Sequence, residues 1–294
     1  MNYLGSNAIK NKKVYSNFFF GHFKNFTRRK QGLIGLMIIT CILLIALFAP
    51  LIAPYDPVDD VSYSNLNAAP SSQYIFGTDE FGRDIFSRVI YGAQVSIQIS
   101  FFTILISATF GVVMGLVSGY FGGFIDGLFM RLVDGLMSFP PLLFAIALMA
   151  ALGTSTKNII LSLAIVYTPM FARLIRGCVL SIKEKEYIDS IKIMGGSKIR
   201  ILFKHILPNC VSPLLIQMTT YFAYAILAEA ALSFLGLGVP KPNPSWGNIL
   251  YDGRQYMIDS PWITIFPGLA IGITVLGLNL LGDGLRDYLD PNLD

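Results

Sequence analysis

The chain has 294 residues, 54% of them hydrophobic and only 14% charged, with a mean hydropathy of +0.60. This balance excludes an ordinary soluble domain, and apolar residues gathered into long uncharged blocks point to helices in lipid. A formal charge of +4 does not imply a nucleic-acid partner; where the cations fall says more than their sum.

A helix needs about 20 apolar residues to cross roughly 30 Å of hydrocarbon. In chain order, the runs of that kind are residues 33–53, 95–118, 135–152, 158–175, 208–235 and 261–282. The first follows a long basic leader holding Lys10, Lys12, Lys13, Lys24, Arg28, Arg29 and Lys30, and its apolar core exceeds a signal-peptide h-region, so an uncleaved anchor is expected. In the fourth, Pro169 and Arg173 predict a kink or early exit. The expected fold is an all-α integral membrane bundle of six spans. It divides into a basic tail at 1–32, a first span with external loop at 33–94, a core at 95–284 with a connection at 181–205, and a tail at 285–294. One face of this arrangement carries seventeen Lys and Arg and the other five, which predicts cytoplasmic termini in a cell membrane. Cys41, Cys178 and Cys210 lie in or beside apolar blocks without paired spacing and read as packing residues.

The stretch between the fourth and fifth runs is too polar for lipid. Tyr187, Ile188, Ile191 and Met194 are spaced to share a helical stripe, with Lys185, Asp189 and Lys192 as charge partners. Gly195 and Gly196 end that helix, and Ser197 caps a second short one leading to Pro208. Such a helix suits a groove on another protein or the lipid surface, and the physics leaves both open.

Glu186 to Gly195, followed by His205, Ile206, Leu207 and Pro208, resembles the E-A-A-x3-G-x9-I-x-L-P loop of binding-protein-dependent ABC permeases. Asp189 stands for the glutamate, Ser190 and Ile191 for the alanines, and His205 for the isoleucine. FGTDEFGRD at 76–84, LSFLGLG at 232–238, PSWG at 244–247 and LLGDGLRD at 280–287 are similar to the C-type permeases of dipeptide, oligopeptide and nickel importers. The resemblance implies a type I importer permease fold and a non-catalytic subunit. It further implies a homologous B-type permease, two cytoplasmic ATPases that bind ATP and Mg, and an external solute-binding protein. Glu186, Asp189, Ser190, Gly195 and Pro208 would then couple to the ATPase. Peptides are the expected cargo, with nickel or a metal chelate as the alternative.

No phosphate loop of the G-x-x-x-x-G-K-[ST] kind occurs, so ATP binding is expected elsewhere. His22 and His205 lack neighbours at metal-ligand spacing, and neither a cofactor nor a metal site is expected. Arg131 and Asp134, three apart, are candidates for a structural ion pair. Glu229 is a candidate for the translocation path or for capping a neighbouring helix. Asp79, Glu80, Arg83 and Asp84 are a candidate contact for the binding protein, or else a solvated, self-paired turn. An ion-gradient transporter would show paired halves with broken helices, which this chain lacks; a non-transporting anchor is the remaining alternative.

Overall fold

A computed structural model describes residues 30–289; the basic leader before Lys30, His22 within it, and residues 290–294 lie outside them. Among the described residues the regular structure is helical. Helix α1 is Lys30–Leu47, followed by the single turn α2, Ala49–Ile52, and a long loop. Then come α3, Ile85–Phe121; α4, Gly123–Met137; α5, Pro141–Leu152; α6, Thr156–Lys183; and α7, Glu186–Ile193. Helix α8, Lys198–Ile201, runs through a π turn at Leu202–Ile206 into α9, Leu207–Leu232, which ends in a second π turn at Ser233–Leu237. Short α10, Trp246–Gly253, and long α11, Trp262–Leu289, complete the chain.

Five of these helices are long and apolar enough to cross a membrane, and the bent pair α4 and α5 supplies a sixth crossing if counted as one span. The sequence predicts a single third span over 135–152. Instead the chain turns by 91° between α4 and α5. Pro140 and Pro141 cause the break: neither offers an N–H to the preceding turn, and Pro141 opens the new helix at a position where that donor is not needed. With 12 residues, α5 rises only about 18 Å and cannot cross alone.

Two other boundaries also differ. Helix α6 passes through buried Pro169 and continues to Lys183, because packing on both flanks holds the turn that proline weakens. Helix α11 runs to Leu289, so the tail expected from residue 285 begins inside it.

The bundle is organised around α3 and α6. Gly111, Gly115 and Gly119 face α6 so closely that a methyl on Gly111 would lie 2.4 Å from the Phe171 Cβ. Without a hydrophobic force between helices in lipid, such backbone approach is what lets dispersion hold them together. Ser107 Oγ also donates across this seam to the Ala164 carbonyl at 3.2 Å. Ile99, Ile104, Leu163 and Phe171 form one core; Ile85, Trp246, Ile249 and Ile263 form a second. A third core, built from Leu116, Ile175, Val179, Ile182, Ile188, Ile201 and Ile206, seats the α7 connection on the bundle.

Candidate coupling surface and the supporting ion pairs

Helix α7 stands on one side chain. Ile188 is fully buried in the third core, and Ile191 packs partly against it. The expected four-residue stripe is therefore divided: Tyr187 is exposed, and Met194 is 78% exposed. Ile193, Met194, Ile199 and Phe203 all present apolar surface outward on this small projection. Asp189 accepts from Lys192 Nζ at 2.7 Å, the i,i+3 partner, on the exposed face. Ser190 Oγ turns back to the Glu186 carbonyl at 3.1 Å.

The turn after α7 has a defined geometry. Gly195 N–H donates to the Lys192 carbonyl at 3.0 Å and Gly196 N–H to the Ile191 carbonyl at 2.9 Å. These are the two bonds of a Schellman cap, and Gly195 sits at φ 79°, where a Cβ is penalised. Ser197 then caps α8, its hydroxyl accepting from Arg200 N–H at 3.3 Å. Downstream, Pro208 has no N–H to give to the turn before it, and the helix widens there: Leu207 N–H reaches the Leu202 carbonyl, five residues back. The side chain of Asn209 donates to the His205 carbonyl at 2.6 Å, satisfying part of the loosened turn. Glu186, Asp189, Ser190 and Gly195 thus lie on one projection, with Pro208 at the start of α9 below it.

Beside it, α4 is fastened to α6 by ion pairs the sequence does not pair. Arg176 grips Asp126 with Nε–Oδ1 and Nη2–Oδ2 distances of 2.6 Å each. Ser118 at the end of α3 donates to the same carboxylate. Asp134 pairs with Arg173 at 2.6 Å. The expected Arg131–Asp134 pair is therefore corrected: α4 lies across α6, so Asp134 meets a cation from another helix instead of its own neighbour.

At the other end of the spans, the expected solvated cluster proves to be an interior network. Asp79, Arg83 and Asp84 are 1%, 7% and 2% exposed, which leaves them no surface to offer a binding protein. Asp79 Oδ1 accepts from the Phe81 and Arg83 amides, and Oδ2 takes Arg83 Nε at 2.7 Å. Buried Arg88 lies between Asp79 at 3.4 Å and Asp252 of α10 at 3.8 Å, and it donates to the Pro57 carbonyl. Lys241 closes the set on Asp252 at 2.6 Å. Asp84 caps α3 by accepting from Ser87 N–H and Oγ. Loss of solvation pushes the Glu80 carboxyl above its ordinary range, and the Asp79 charge pushes it the same way. Burial likewise raises Asp84, against the opposing pull of its Ser87 bonds. Exposed Asp56 is lowered by the Asp59 and Val58 amides it accepts from.

Glu229 is corrected too. It is fully buried, its Oε2 accepting from Ser96 at 3.0 Å and its Oε1 from Ser233 at 2.8 Å. Ser96 in turn accepts from Trp246 N–H at 3.2 Å, so Glu229 ties α9, α3 and α10 together instead of lining a path.

A helical bundle of five or six crossings with a short helix projecting from one end is the architecture of an ABC importer permease. Two solved structures have this fold: that titled for inward-facing conformations of the MetNI methionine ABC transporter (TM-score 0.57, 16% identity, 69% of this chain and 97% of that one) and that of an amino acid ABC transporter with histidines (TM-score 0.53, 14% identity, 69% and 95%). Residues 111–294 match the family described as binding-protein-dependent transport system inner membrane component, and the chain belongs to that family. Residues 19–70 match the N-terminal transmembrane domain of oligopeptide transport permease C. Among relatives, the dipeptide transport system permease protein DppC of Alkalihalophilus pseudofirmus is 46% identical over 92% of this chain and 89% of its own. The glutathione transport system permease protein GsiD of Escherichia coli is 44% identical over the same shares.

Proposed function

We propose that this chain is one permease half of an ATP-driven importer of short peptides, coupled through α7 to a separate ATPase. The observation that carries the reading is the projection itself: one buried foot at Ile188, a Schellman hinge at Gly195, and outward apolar side chains at Ile193 and Met194. A rigid helix anchored at its base passes displacement to whatever it is anchored in, here α6 and the start of α9. Nucleotide binding closes the ATPases and draws the two permease projections together. The spans tip toward an outward-open cavity, and hydrolysis resets them. A homologous second permease, two ATPases carrying ATP and Mg, and an external binding protein complete the assembly, with both termini cytoplasmic. Relatives named for dipeptide and glutathione transport favour peptide cargo over nickel.

Gly195→Val tests the lever. A β-branched side chain is strained at this φ, so the hinge shifts while the foot at Ile188 remains. Uptake in reconstituted vesicles is expected to fall at least about tenfold, the effect of ~1.4 kcal/mol, while ATP hydrolysis continues. Unchanged uptake contradicts the lever.

A further inference from the structure

Helix α1 meets the bundle backbone to backbone near its start, whereas near its end only Ala46 is buried. A methyl on Gly35 would lie 2.4 Å from the Leu281 amide nitrogen, and one on Gly277 would lie 2.6 Å from Ile38 Cγ2, so backbones touch there. Toward the end from which the 53–84 loop departs, apolar cavities flank α1. The larger, about 540 Å3, is walled by Ile42 and Ile45 of α1, Ile90 and Ala93 of α3, Trp246, and Phe266 of α11. The smaller, about 480 Å3, lies on the other flank and shares Ile42.

The larger cavity offers water no free polar hydrogen beyond the Cys41 thiol. Thr274 Oγ1 already donates to the Ala270 carbonyl at 2.6 Å, and Trp246 Nε1 to the Val89 carbonyl at 2.9 Å. Water needs two to four polar partners to enter such a space. An empty void of this size forfeits dispersion from every wall atom. Leu269 and Ile273, 55% and 49% exposed, stand on its wall and open it to the outside of the bundle along α11, a helix apolar enough to cross a membrane.

We infer that this wedge between α1, α3 and α11 binds an acyl chain of a membrane phospholipid, in the leaflet on the side of the 53–84 loop. The chain fills the space beside Ile42 and Ile45 and adds to the packing that Ala46 gives the outer half of α1. The inference rests on the membrane setting and not on the transported cargo.

Trp246 and Trp262 are the two tryptophans, so Trp262→Phe leaves Trp246, 2% exposed, as a reporter within the cavity wall. In vesicles of phosphatidylcholine brominated along its acyl chains, the full-length Trp262→Phe chain is expected to lose much of its emission relative to unbrominated vesicles. Adding Ala93→Phe, which fills the cavity, is expected to restore it. Undiminished emission overturns the site, as does quenching that survives Ala93→Phe. In the assembled transporter, with both tryptophans intact, a diazirine side chain at Ile90 is expected to give a phospholipid adduct by mass. An adduct to a second polypeptide, or none to lipid, overturns it; this measurement decides alone should Trp262→Phe not fold.

Discussion

Arg176 holds Asp126 through two parallel N–H···O bonds of 2.6 Å, joining two helices whose paired residues lie 50 apart in sequence. This fork fixes where α4 crosses α6, next to the third core on which α7 stands. A planar guanidinium makes that pair of bonds; an ammonium cannot. Arg176→Lys is therefore expected to lose about 1.5 kcal/mol of stability, the lower end of the range for a hydrogen bond to a charged group. Arg176→Met is expected to lose more, because Asp126 is then left without its cation. Thermal unfolding in detergent measures both, and equal melting of Lys and Arg variants contradicts the fork.

Much of the fold is legible in the sequence because lipid asks for long uncharged helices, and α3, α6, α9 and α11 satisfy that demand over most of their predicted spans. The break at Pro140 and Pro141 is missed because counting charges ignores backbone donors. The α7 projection is legible because its turn is local: two glycines, a serine cap and a proline within a short stretch. Asp134 is assigned the wrong partner for the opposite reason. Its cation, Arg173, comes from another helix, and spacing rules see only neighbours on the same one. The Asp79 cluster reads as solvated because it is charged, yet Arg88 and Asp252 neutralise it from separate elements and allow it to be buried.

Glu229 supports the start of the loop that leads to α10. Glu229→Ala removes the acceptor for Ser96 and Ser233 and leaves both hydroxyls buried, which is expected to cost about 1–3 kcal/mol. Glu229→Gln keeps one acceptor and is expected to cost less. Limited proteolysis within 238–245 measures the release of the loop, expected to quicken in the order wild type, Gln, Ala. A Glu229→Ala protein as resistant as wild type removes the strut role.

Glu80 gives a pH signature. Its folded pKa is raised, so the folded state binds its proton more tightly than the unfolded chain does. The contribution to stability therefore falls as pH rises from the ordinary carboxylate value through the raised one. Glu80→Gln removes this penalty. The variant is expected to melt slightly higher than wild type at pH 7, with the difference shrinking below pH ~4, near the ordinary glutamate value. A difference that is constant across pH excludes ionisation as its source.

Gly35 sets the crossing of α1 and α11. Gly35→Leu drives a side chain into the Leu281 backbone and is expected to cost about 1–3 kcal/mol, typical of overpacking. Cysteine accessibility at Cys41, already exposed on α1, is expected to rise further as the helix lifts away. Unchanged melting and labelling would mean that α1 does not rely on this contact.

In the proposed importer, α7 docks into another polypeptide. A photoreactive benzophenone side chain in place of Ile193, 86% exposed, tests it in the assembled transporter. The expected product on illumination is a cross-link to the ATPase subunit, and the same group at exposed Phe110 on a spanning helix is expected to give none. Lipid adducts at Ile193, with no cross-linked ATPase, would contradict the claim and place the helix on the membrane surface.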